Sequence, residues 1–197
     1  TTAPSDTPRW AIDLARSLPF FNQTGDVRTR YALGQDIFTP HNLSLANPPL
    51  TDRPYAGFLY AALGLVDDSG TDLDQLQISL GVVGPASLAE EAQKFVHAIF
   101  HDRKPMGWAT QLRDEPGLII EYNRSIKLIE PQSFLGGVFD IEPNYGAAIG
   151  NVYDYAEVGA VGRFGFNLPK DYGPMRIAPS LPGSDYFEPI SGLGAYV

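Results

Sequence analysis

Two of the chain's three histidines, His97 and His101, stand four residues apart in the segment SLAEEAQKFVHAIFHDRKPMGW (87–108), and Gln93 precedes the first by four. Three chemistries suit those residue types at that spacing. The plainest is a solvated polar face on a surface helix. A histidine pair at i, i+4 is also half of a zinc motif, but the glutamate of H-E-x-x-H is missing and there is no cysteine to complete a ligand set. The third is general-base catalysis. Imidazole takes a proton from water around neutrality, and a carboxamide one turn earlier can orient the ring or the water. No G-x-S-x-G occurs, which disfavours a serine nucleophile of the elbow type. The absence of cysteine removes disulfides and a cysteine nucleophile as well.

The segment that carries these residues reads as a helix. Ser87 and Glu90 match the capping box, following Pro85, and Leu88, Ala92, Phe95, Val96 and Ile99 fall on one stripe. Gln93 and His97 lie away from the centre of that stripe, stacked one turn apart, with Glu90 and His101 flanking them. The pattern predicts a helix that docks its apolar stripe and presents Gln93, His97 and Glu90 together.

Around the helix the chain alternates like β-sheet. Strands are expected at 30–38, 55–66, 73–84, 117–129, 134–150, 155–166 and 190–197, with a turn at EPQS (130–133) and a short amphipathic helix from Trp10 to Leu18. Leu76, Ile78, Leu80 and Val82 oppose Gln77, Ser79 and Gly81. Leu118, Ile120, Tyr122 and Ile126 oppose Glu121, Asn123, Ser125 and Lys127. Phe139, Ile141, Tyr145 and Ile149 oppose Asp140, Glu142 and Asn144, and Val158, Phe164 and Phe166 oppose Glu157 and Arg163. Many strands approach ten residues and their connections are alternately short and long, which suits a transmembrane barrel. Alternation alone also allows a soluble antiparallel barrel or sandwich, because it does not say which face meets water.

Composition narrows the classes. A chain of 197 residues with 44% hydrophobic content can bury one large core. A net charge of −9 and no basic cluster exclude a nucleic-acid partner. No uninterrupted apolar run is long enough for a transmembrane helix. In DRPYAG (52–57), Asp52 and Arg53 read as a turn with an ion pair, or Arg53 meets a phosphate or carboxylate at the mouth of the strand that Tyr55 begins. Asp114 and Glu115, in the loop 107–117, are loop acids or hard-cation ligands.

The segments YALGQDIFTP, DRPYAGFLY, LQISLGVVGPASLAEEAQKFVH, GWATQLRDEPGL, GAAIGNVYDYAEVGAVGRFG and PSLPGSDYF, in that order, resemble the lipid A 3′-O-deacylase family of Gram-negative outer membranes. The resemblance runs from about Tyr31 to the end. It implies an all-β, up-and-down barrel of twelve strands in the outer membrane, with the active site at the barrel wall near the outer surface. It implies calcium-assisted hydrolysis of the ester that carries the 3′-linked acyloxyacyl chain of lipid A, by a protein expected to be a monomer. The family's catalytic histidine follows a functional glutamine by four residues, which matches His97 and Gln93. His97 is then the base that activates water and Gln93 a positioning group. Asp102 is the nearest candidate for a family acid at the calcium site. A family lysine has no counterpart here, and Arg53 is offered in its place, beside Tyr55, toward substrate.

The family's Asn-Asp pair on the first strand and its Tyr-Thr-Asn-Gly segment on the second are not present, and the last strands are missing after Val197. About seven strands cannot close the implied barrel, and an open edge in lipid is not viable. The expectation is therefore a single barrel domain over 1–197 that is part of a longer barrel, with a helical loop insertion at about 85–117. Two other readings stand beside the enzyme: a non-catalytic envelope barrel or lipid-binding scaffold of the same fold, and a soluble β-barrel binding module.

Overall fold

The computed structural model describes residues 1–134, 136–172 and 194–196. Helix α1 (Arg9–Ser17) precedes a hairpin of β1 (Asp26–Phe38) and β2 (Ala56–Asp68), and β3 (Asp72–Val83) follows. Helix α2 (Ala89–Phe100) then interrupts the sheet, lying between single-turn 3-10 helices at Pro85–Ser87 and Trp108–Thr110. The sheet resumes with β4 (Glu115–Ile126), β5 (Ile129–Phe134), β6 (Gly137–Gly150), β7 (Tyr155–Phe166) and the two-residue β8 (Ala195–Tyr196). The strands form one curled antiparallel sheet in the order β1-β2-β3-β4-β6-β7-β8, with β5 paired to β6. Tight turns gather at one end, such as residues 69–71 between β2 and β3. The long connections 39–55 and 84–114 gather at the other.

The register shows which face the apolar residues take. Tyr31, Leu63, Ile78, Ile120 and Ile149 are paired in one row across five strands, and Leu33, Ala61, Leu80 and Leu118 in the next. Directly paired residues point to the same side. All nine are exposed, Leu33 at 81% and Ile149 at 70%. The opposite face buries Ser79, Glu121, Asn123, Ser125, Asp140, Glu142, Asn144 and Arg163. A water-facing sheet does the reverse. An apolar outer face over a polar inner one is the wall of a barrel that stands in lipid. Among the described residues no helix is long and apolar enough to cross a membrane.

The turn end of the outer face is not bare. Ala11 and Ala15 of α1 are buried in one cluster with Phe21, Val27 and Leu65, and Leu76 and Tyr122 pack against it. Two acids that share this face, Asp67 and Asp74, are buried under the same segment. Arg16 Nη1 reaches Asp67 at 3.3 Å, and Asp74 accepts from the Asn22 amide at 3.0 Å and the Tyr122 hydroxyl at 2.6 Å. The N-terminal segment thus hides charge that would otherwise face lipid.

One expected turn is a strand. EPQS lies within β5, and the chain instead breaks at Lys127 and Leu128, where Lys127 N bonds to Thr71 O and Leu128 N to Ile141 O. Pro131 sits in the register shift between Ile129 and Gln132, a place where a residue without an N–H costs no ladder bond. The expected strand at 190–197 is described only at 194–196, and the segment PSLPGSDYF lies outside the described residues.

Candidate active site

Helix α2 lies against the outer face of the β1–β2 hairpin, at the loop end. Gly57 pairs with Ile37, on the same side as Leu33, and a β-carbon there would collide with Ser87 Oγ and the Ala89 β-carbon. Only glycine lets the helix come this close. From the same face Gln35 Nε2 donates to Ser87 O at 2.6 Å. The helix start differs from the capping box: Ser87 donates its hydroxyl to Gly84 O, and Leu88 is the N-cap residue with φ 59°. At the other end His101 is the C-cap with φ 53°. Two non-glycine residues in the left-handed region bracket one helix, each at a cost of about 1–2 kcal/mol.

The helix is also turned the opposite way from the expected one. Gln93 is buried at 9% exposure, while Leu88, Phe95, Val96, Ile99 and Phe100 are exposed. The physical reason lies in what each side meets. The wall at Gly57 admits only the small Ala89, and the polar side finds hydrogen-bond partners in the loop behind it. Glu90 is taken up by an ion pair with Lys94 one turn on.

That loop is held by aromatic packing. Trp108 is 2% exposed, its ring centroid is 4.9 Å from that of Tyr55, and its indole Nε1 donates to Gln93 Oε1 at 2.8 Å. The carboxamide oxygen is therefore committed, and what Gln93 can offer a ligand is its NH2 group. Tyr55 is fully buried and donates to Leu43 O at 3.2 Å. Burial pushes its hydroxyl up from the usual value, which keeps it a donor. Tyr55 thus supports the wall behind Gln93.

His97 lies one turn further along. Its Nδ1 is 2.5 Å from Arg103 O and 3.9 Å from Asp102 Oδ2. A carbonyl only accepts, so Nδ1 carries the proton and Nε2 presents a lone pair. This is the tautomer a general base needs. The chain turns left-handed at His101, and among the described residues there is no group of three or more His, Cys, Asp or Glu placed to hold a metal ion.

Asp102 is exposed, and its Oδ1 accepts from the Arg103 amide at 2.6 Å. Arg53 is exposed with its guanidinium 5.8 Å from the Phe38 ring centroid, on the same hairpin but not bonded to the Gln93–His97 pair. Asp52 gives its carboxylate to two backbone amides, Arg53 N at 2.7 Å and His41 N at 3.0 Å, in place of an Asp52–Arg53 ion pair. Asp114 is a loop acid that accepts from Ala86 N at 2.7 Å.

A charged cluster on the inner face, at the turn end, was not among the expected site residues. Arg163 binds Asp140 through Nε at 3.0 Å and Nη2 at 2.6 Å, Glu142 through Nη2 at 2.9 Å, and Asp171 through Nη1 at 2.5 Å. All four side chains are nearly inaccessible. They line a cavity of about 200 Å³ with Lys127. Asp140 and Arg163 are directly paired across the β6–β7 hairpin. Counting back from the short connection at 151–154 would have brought them together.

Three comparisons with known proteins agree with this geometry or are silent. The family model "Outer membrane protein LpxR" matches residues 1–197. The solved structure of LpxR from Salmonella typhimurium superposes with a TM-score of 0.61 at 23% identity, covering 74% of this chain and 50% of that one. No curated protein matches. The chain spans half the length of the solved protein it resembles, and that likeness shows the fold. With an apolar outer wall, a polar inner face and a family match over its whole length, the chain belongs to the LpxR family of outer membrane proteins.

Proposed function

We propose that this chain forms the catalytic wall of an outer-membrane hydrolase that removes the 3′-linked acyloxyacyl chain of lipid A. The observation that carries the reading is the hydrogen bond from His97 Nδ1 to Arg103 O, which leaves Nε2 free to accept a proton beside the lipid-facing side of the sheet. His97 takes a proton from water, and the water oxygen forms a bond to the ester carbonyl carbon. Gln93 donates from its NH2 to an oxygen of the reacting ester, its own oxygen being held by Trp108. As the ester C–O bond breaks, His97 returns the proton to the departing sugar oxygen, leaving a free hydroxyl and a fatty acid.

Calcium belongs to the proposal as a cation that polarises the ester carbonyl when bound. Such an ion takes about 6–8 oxygen ligands. Beside His97 the described residues supply the carboxylate of Asp102, one oxygen of which already accepts a backbone N–H. These residues do not make the site by themselves, and every step above is assigned to protein groups.

The test is release of the acyloxyacyl group from lipid A, followed by mass spectrometry, with the intact protein in the presence and absence of EDTA. His97→Ala should lower the rate about 10²–10⁴-fold. A variant as fast as the parent removes His97 from the mechanism, and insensitivity to EDTA removes calcium. No release by the parent selects a lipid-binding scaffold of the same fold.

A further inference from the structure

The exposed stripe of α2 needs a medium. A surface helix ordinarily buries its apolar stripe, yet Phe95 is 67% exposed, with Leu88, Val96 and Ile99 exposed beside it. The helix rests on the outer side of the wall, through Gly57 and Gln35. That side continues, residue by residue along the strands, into the exposed rows of Leu33, Leu80 and Leu118 and then Tyr31, Ile78 and Ile120. The stripe is therefore contiguous with a surface that faces lipid in a protein of the outer membrane. Charged groups accompany it: Lys94 on the helix, paired to Glu90, and the exposed Arg103 and Lys104 just after it, with Glu91 and Asp102 exposed among them. Apolar side chains flanked by Lys and Arg are the composition of a helix that lies in the interface, the chains among acyl groups and the cations level with phosphates.

We propose that α2 is an interfacial helix, inserted by Phe95, Val96 and Ile99 into the phosphate-bearing leaflet at the loop end of the barrel. This goes beyond hydrolysis and does not rest on it; it needs only the membrane placement of the wall. It also accounts for the orientation of the helix. With lipid on the stripe side and the Tyr55–Trp108 loop on the other, Gln93 and His97 lie at the boundary between them.

The chain has no cysteine, so single-cysteine spin labels report one position each. The intact protein is reconstituted in vesicles of phosphatidylethanolamine and phosphatidylglycerol, and labels are placed at Phe95→Cys, Ile99→Cys, Glu91→Cys and Ile120→Cys. Power saturation then compares collision with oxygen, which concentrates in lipid, and with a water-soluble nickel chelate. The expected result is oxygen outcompeting nickel severalfold at positions 95, 99 and 120, with the reverse at 91. Nickel access at 95 and 99 with lipid access at 120 overturns the helix assignment while leaving the barrel in place. Protection from both probes at 95 and 99 overturns it too, in favour of another part of the protein or a second copy. Nickel access at 120 removes the membrane placement and the proposal with it. None of these readings depends on whether lipid A is cleaved.

Discussion

At the turn end of the sheet Arg163 is enclosed by Asp140, Glu142 and Asp171, all nearly inaccessible to water. At the loop end His97 is held through one ring nitrogen, and Gln93 through its oxygen, each with a polar group left over. The first region uses its charges on one another; the second keeps hydrogen-bonding capacity in reserve. The difference has a physical basis. A buried ion pair that loses a partner leaves an uncompensated charge, so the guanidinium is enclosed by carboxylates, although Glu142 Oε2 is buried without a hydrogen bond. A group meant to take a proton or bind an ester must instead meet its ligand with an open valence. Left-handed backbone occurs at both ends: Asn167, with φ 51°, follows β7 at the turn end. Leu88 and His101, with φ of 59° and 53°, bracket α2. Backbone strain of this kind gathers where a segment is held for function, not only for packing.

Substitutions at the two ends should therefore fail in different ways. Arg163→Met leaves three buried carboxylates without their cation and should cost about 3–5 kcal/mol, read by urea unfolding in micelles. The folded fraction should keep its rate on lipid A; loss of turnover per folded molecule would mean that the two ends are coupled. Gly57→Val drives a side chain into Ser87 and Ala89 and should cost up to about 3 kcal/mol. Here the rate per folded molecule should fall as well, because the helix that carries His97 is pushed off the wall. An unchanged rate would show that the close approach is not needed. Trp108→Phe keeps the ring and deletes the donor to Gln93, at about 1 kcal/mol. Combined with Gln93→Leu, the two losses should be less than additive in thermal unfolding; strict additivity would deny the bond its part. The smallest effect is expected from His101→Gly: relief of about 1–2 kcal/mol of left-handed strain is offset by about 0.4–1 kcal/mol from the freer unfolded chain, a small net gain read by thermal unfolding.

The strands and their faces were legible because lipid-facing and interior residues alternate with period two, and the same rows recur in the observed register. Helix α2 was legible for the same reason at period 3.6. Its orientation was not. Periodicity finds Leu88, Phe95 and Ile99 on one stripe but does not name the medium that covers it, and docking on protein is the ordinary assumption. The Gln93–His97 pair was found by its spacing, whereas its supports were not. Trp108 lies fifteen positions beyond Gln93, and Arg103 meets His97 only through the left-handed turn at His101. The ring of acids about Arg163 needed a strand register, and Asp171 reaches it from the segment that follows β7. Proline in EPQS reads as a turn signal, whereas β5 uses it at a register shift.

Gly57 carries a consequence of its own. At Gly57 the wall contributes backbone alone, so Ser87 and Ala89 rest there directly on the main chain of β2. The height of His97 along the barrel axis is then as fixed as the strands themselves. Under the proposed function, a histidine seated in a leaflet in this way would work as a depth gauge: of several chemically equivalent esters on one amphiphile, it would meet the one that lies at its own level.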